Sequence, residues 1–200
     1  KINMVNKWSS TFYPFSKWAL NNALISSIMK ASFGIAKNRS IPTASRQSLM
    51  HYYRKVFKQN TDRKFIKSIY LYCDEFTNYN DTKIGITALN LLDRLNYKVE
   101  MIPNPESGRA AFSKGFLEKA KKHAEQNVQL FSELVSENKP LLGIEPSAIL
   151  GFRDEFPKIV DPKLIDQANS LAKHCFIIDE FLFDEIKNGN ITDEDSMYEY

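Results

Sequence analysis

The sequence predicts an α/β fold: a parallel Rossmann-like sheet with helices on both faces, preceded by an aromatic-rich helical arm. Short β-rich apolar runs occur at 66–73, 97–102 and 140–144. Between them lie longer stretches whose apolar residues recur at three- and four-residue steps, the period of a helix with one buried face. Strands alternating with helices build a parallel sheet, because parallel neighbours are joined by long crossovers.

Each element can be justified in order. From Trp8 to Phe33 the residues Trp8, Phe12, Phe15, Trp18, Ile25, Ile28, Met29 and Phe33 read as helix broken near Pro14 and ended by Gly34. Pro42 pushes Ile41 out of the helical region, so 38–43 is an extended linker. A second helix carries Leu49, Tyr52, Tyr53, Val56 and Phe57 on one face. These helices hold more aromatic surface than they can bury between themselves, and they are expected to pack on the main domain, a second copy or a neighbour. The first strand, 66–73, ends at Cys73 and turns through 74–80. Asn80 or Asp81 then caps a helix with the stripe Ile84, Ala88, Leu91, Leu92 and Leu95. After the strand 97–102 and the loop 103–109 comes the longest helix, expected from Ser113 to Val135, with Phe116, Leu117, Ala120, Ala124, Val128, Phe131 and Leu134 as its stripe. A buried strand, 140–144, leads into another helix. A helix from Pro162 to Lys173, a strand 174–178 and a helix around 180–186 follow. The expected organisation is a basic helical arm and linker at 1–65, an α/β domain at 66–190 and a frayed acidic tail at 191–200.

Charge is distributed unevenly. Residues 1–66 hold 12 Lys/Arg and one acid, a balance of +11, whereas 67–200 hold 15 bases and 23 acids, a balance of −8. The basic residues of the first part (Lys7, Lys17, Lys30, Lys37, Arg39) stand singly among apolar ones, and no nucleic-acid-binding motif accompanies them, so nucleic acid is not expected as a partner. Lys17, Asn21, Asn22, Ser26, Ser27 and Lys30 interrupt the best candidate for a membrane span. Two cysteines far apart do not make a disulfide framework, and there is no signal peptide, so a cytoplasmic location is expected. Lys1 stands in the middle of apolar sequence, which reads as a piece of a longer polypeptide.

In a parallel α/β sheet the ligand site lies outside the carboxyl ends of the strands. Three such ends can be located: Cys73-Asp74-Glu75, Glu106-Ser107-Gly108-Arg109 and Glu145-Pro146-Ser147-Ala148. Each holds more functional groups than a plain turn needs. His51, His123 and His174 lack metal-ligand spacing, and His123 is expected to be solvated on the long helix. Cys175 reads as a packed core thiol.

The order Leu71-Tyr72-Cys73, Glu106-Ser107-Gly108-Arg109, a long helix, Ile144-Glu145-Pro146-Ser147-Ala148 and Arg153-Asp154-Glu155-Phe156-Pro157 resembles the cysteine-rich CCG repeat. That repeat occurs in iron–sulfur subunits of glycerol-3-phosphate, glycolate and D-lactate oxidoreductases and in FAD-linked oxidase fusions. Arg39-Ser40-Ile41-Pro42 is similar to the stretch that precedes the repeat. The resemblance implies a parent oxidoreductase with FAD and 4Fe-4S centres, acting on 2-hydroxy acids such as D-lactate or glycolate. In the repeat, Cys would stand at Cys73, Cys-Cys-Gly at Glu106-Ser107-Gly108, and Cys-Pro-x-Cys at Glu145-Pro146-Ser147-Ala148. Only Cys73 remains of these, and one thiolate does not meet a cluster's need for about four.

The resemblance therefore implies a degenerate cluster site and an electron-transfer scaffold that is not itself catalytic and binds no cofactor. Its partners would be other domains of the parent or a second copy, and its location the cytoplasm or the inner face of the membrane through a parent complex. Asp74, Glu75, Glu106 and Glu145 would share the pocket with Ser107, Arg109 and Arg153, and an ion pair from Arg109 to Glu145 or Glu106 would fill it. Two alternatives stay open. One is a non-catalytic interaction or dimerisation module. The other is a small-ligand or divalent-cation pocket built on Glu106, Arg109 and Glu145.

Overall fold

The structure is a computed structural model that describes residue 18 and residues 22–32, 34, 36, 38–39, 44–59 and 61–192. The expected helix around Trp8 to Phe15, the Ile41-Pro42 linker and the tail from 193 onward lie outside the described residues. Among the described residues, two helices precede the sheet, α1 (Ala23–Ser32) and α2 (Leu49–Lys55). Then follow β1 (Lys67–Tyr72), α3 (Glu75–Tyr79), α4 (Thr82–Arg94), β2 (Tyr97–Glu100), α5 (Arg109–Phe112), α6 (Leu117–Phe131) and β3 (Leu141–Gly143). The order closes with α7 (Pro146–Asp154), α8 (Phe156–Ile159), a 3-10 turn (Pro162–Leu164), α9 (Ile165–Ala172), β4 (Cys175–Ile177) and α10 (Ile178–Lys187).

The four strands pair in parallel in the order β2-β1-β3-β4, with Ile69 opposite Val99, Leu71 opposite Leu142 and Leu142 opposite Phe176. Successive side chains of a strand point to opposite faces, and the core divides accordingly. Tyr70, Tyr72, Leu141 and Cys175 meet α6, α7, α8 and α9 through Val128, Phe131, Phe152, Phe156 and Leu171. Ile69, Leu71, Cys73, Tyr97, Val99 and Leu142 meet α2, α4 and α10 through Leu49, Leu89, Leu92 and Phe181. The parallel α/β sheet with helices on both faces, as the sequence predicts, is thus present.

Several details differ from expectation. Positive φ at Gly108 (77°) and Gly115 (72°) divides the region after β2 into the single turn α5 and a long helix that starts only at Leu117. Phe116 and Leu117, placed on the buried stripe by periodicity, are consequently exposed, and Ala120, Ala124, Val128 and Phe131 form the buried line. The inner face of α4 is Gly85, Ala88, Leu89 and Leu92, so Ile84 faces out. Segment 74–80 is not a plain turn: Asp74 caps α3 by accepting from the Phe76 and Thr77 N–H groups. Asp81 stands before α4 without a side-chain capping bond. Leu49 of α2 is fully buried in the main core, while Val56 is exposed.

Candidate functional site

The strand order places the switch point between the carboxyl ends of β1 and β3. From β1 the chain crosses to β2 on one side, through α4 on one face, and then to β3 on the other side, through α6 on the opposite face. Loops from neighbouring strands diverge there and leave a crevice. The segment after β2 folds back across it. Tyr72 donates its hydroxyl to the Pro105 carbonyl at 3.1 Å, and Asn104 Nδ2 donates to the carbonyls of Cys73 (3.1 Å) and Pro105 (2.8 Å).

A chain of polar contacts joins all three strand ends. Glu75 accepts from the Ser107 N–H through one carboxylate oxygen and from the Ser107 hydroxyl through the other, both at 2.9 Å. Ser107 Oγ in turn accepts from the Arg109 N–H at 3.2 Å. The Arg109 guanidinium pairs with Glu145 at 2.9 Å and lies 5.4 Å from the centre of the Phe76 ring. Of the two partners expected for Arg109, Glu145 is the one it takes. Ser147 Oγ donates to the same Glu145 carboxylate. Glu75 and Ser107 are buried, whereas Arg109 and Glu145 are half-exposed, so the network is dry at one end and wet at the other.

Glu106 faces a different neighbour, the His123 ring at 3.8 Å. His123 is not solvated as expected. Its side chain is 15% exposed, neither ring nitrogen has a hydrogen-bond partner, and burial pulls its pKa below the usual range although Glu106 opposes that shift. The reason is local: Gly108 brings its backbone so close that an added Cβ would sit 3.2 Å from the His123 Cβ. Asn127, fully buried one turn further on, donates to the Glu106 and His123 carbonyls, both at 2.9 Å. Sequence reasoning missed Asn127, although a polar residue in line with Ala120, Ala124 and Phe131 was a legible sign.

The other expected residues occupy distinct places. Cys73 points to the sheet face that holds Leu49 and Leu71, and burial, then the charges of Asp74 and Glu75, push its thiol well above the usual range. Such a thiol stays protonated and is a poor nucleophile or ligand. Asp74 is spent on capping α3 and on the Thr77 hydroxyl; burial raises its pKa against the pull of those hydrogen bonds. Ala148 is buried in the core on the α7 side. Arg153 is not in the cluster: it is drawn to Glu180 at 2.7 Å, the residue that also accepts from the Ile177 N–H at the start of α10.

The donor set does not fit a four-thiolate cluster. The chain has two cysteines, and they lie on opposite faces of the sheet, with the Cys175 thiol bonded to the Leu171 carbonyl at 3.2 Å. Among the described residues no three His, Cys, Asp or Glu side chains are grouped to hold a metal ion. Among these residues, too, no helix is long and apolar enough to cross a membrane.

No family model matches the chain, and no solved structure does. Curated relatives do. D-2-hydroxyglutarate dehydrogenase of Haemophilus influenzae is 25% identical over 126 residues, which is 63% of this chain and 12% of that protein. The Pseudomonas putida protein of the same name is 31% identical over 93 residues, 46% of this chain and 9% of that one. A subunit of the anaerobic glycerol-3-phosphate dehydrogenase of Escherichia coli is 23% identical over 189 residues, 94% of this chain and 46% of that polypeptide. The chain therefore spans less than half the length of each of these relatives, and the 2-hydroxy acid named in the first two is 2-hydroxyglutarate, not lactate or glycolate. By sequence, this chain is similar to limited parts of dehydrogenases of a 2-hydroxy acid and of glycerol 3-phosphate.

Proposed function

We propose that the chain is part of an FAD- and iron–sulfur-dependent oxidoreductase of 2-hydroxy acids or glycerol 3-phosphate, in which it forms a non-catalytic scaffold for the electron-transfer module. On this reading the α/β unit is a CCG-like repeat whose cluster position is filled by protein. The observation that carries it is the contact chain Glu75–Ser107–Arg109–Glu145, which occupies the strand ends where the resembling repeat places cysteines. Carboxylates, a hydroxyl and a guanidinium satisfy one another there, so the crevice closes on hydrogen bonds where the repeat would close on metal. Flavin and cluster chemistry then belong to other domains of the parent, and those domains are the expected partners. Iron and acid-labile sulfide analysis of anaerobically purified chain tests this. Colourless protein with far less than one iron per chain is the expected result, and brown protein with stoichiometric iron and sulfide would overturn it.

A further inference from the structure

A second opening lies beside α2, on the side of the sheet that holds Leu49 and Cys73. It is a pocket of about 510 Å³ lined by α2, the end of α3, Cys73 and the loop at Pro103 and Asn104. This volume falls within the range of about 300–1,000 Å³ typical of small-molecule sites. Its charge is one-sided: the lining includes Arg54 and Lys55, with the His51 ring beside them, and no Asp or Glu. The spacing i, i+3, i+4 puts these three on one side of α2, while Leu49, Tyr52 and Tyr53 turn the other side into the core. Arg54 and Lys55 form no ion pair among the described residues. The nearby acids are engaged elsewhere, Asp74 with α3 and Glu75 with Ser107. Ser48, Asn78, Tyr79 and Asn104 add neutral hydrogen-bonding groups to the wall.

We infer that this pocket binds a small organic dianion, a phosphate ester or a dicarboxylate, held by Arg54 and Lys55. Arg54 supplies the planar fork that matches an oxyanion, and Lys55 a second point charge beside it. The site is independent of the parent's identity, because it rests on the pocket and its charges alone.

Isothermal titration with inorganic phosphate and with succinate, at low and at physiological salt, tests the assignment on the intact chain. Saturable binding of one or both probes is expected, weakening with salt and falling about tenfold or more in Arg54→Gln/Lys55→Gln. Both residues are exposed, so the double variant should keep its melting temperature. Arg46→Gln, in a separate groove beside α4, is the control and should bind as the parent chain does. Amide shifts on addition of the bound probe should cluster at 48–55, 73–79 and 103–104. Binding of phosphate alone assigns the ester class, and of succinate alone the carboxylate class. Absence of saturable binding at low salt, or equal loss in Arg46→Gln, would overturn the inference.

Discussion

At the scale of single residues, burial decides which member of the polar chain matters. Glu75→Ala leaves the buried Ser107 N–H and hydroxyl without an acceptor, which costs about 1–3 kcal/mol for each orphaned group. Glu145→Ala breaks a half-exposed pair with Arg109 and should cost at most about 1 kcal/mol. Chemical denaturation of the two variants should show that order, and equal losses would mean that the wet end is as tightly built as the dry one. Gly108→Ala should also destabilise, by about 1–2 kcal/mol from its left-handed backbone alone, with the crowded His123 Cβ adding to it. His123 provides a pH signature. Its pKa is lowered in the folded chain, so the neutral ring's contribution is complete above the unfolded value of about 6.5 and is lost as pH falls through the folded value. An NMR titration should place its midpoint below that of an ordinary histidine, and His123→Gln should flatten the stability profile in the same window. Asp74 has the opposite sign: its raised pKa makes stability fall as pH climbs through the acid range toward the folded value.

At the scale of elements, the join between β3 and α7 depends on close approach. A Cβ on Gly143 would fall 2.4 Å from the Ile149 Cβ, so Gly143→Ala must push α7 off the sheet, at a cost of about 1–3 kcal/mol. Behind that join Phe152 meets the rings of Phe156 at 4.6 Å, Tyr72 at 5.1 Å and Phe131 at 5.9 Å. Phe152→Ala should therefore lose about 3–5 kcal/mol, a large share of a domain's usual stability, and a melting curve would show it. Strand positions were legible from the sequence because short apolar runs between helical stretches have few alternatives. Helix edges were less so. Periodicity sees Phe116 and Leu134 as part of one stripe, but it does not see that Gly115 turns the chain through positive φ just before Phe116, nor that the helix ends at Phe131, short of Leu134, so both residues are exposed. The site was legible only to the level of segments. That Glu75 grips Ser107 while Asp74 caps α3 depends on which way two adjacent side chains turn, and strand-end wording does not carry that choice.

For the whole molecule, two hydrogen bonds to one carboxylate fasten α10 to the sheet. Glu185 of α10, 4% exposed, accepts from Lys67 Nζ at 3.1 Å and the Tyr97 hydroxyl at 2.7 Å, so α10 is hydrogen-bonded to the first residues of β1 and β2. The strand order adds a further consequence. β1 lies inside the sheet, yet both of its neighbours are made after it, and the second is made much later. During synthesis one margin of Lys67–Tyr72 stays open, offering its bare amides and carbonyls to any passing strand until Leu141–Gly143 leaves the ribosome. A chain stopped at residue 139 should accordingly unfold without a cooperative transition and tend to associate, and the nascent protein has its longest need of a chaperone in that interval.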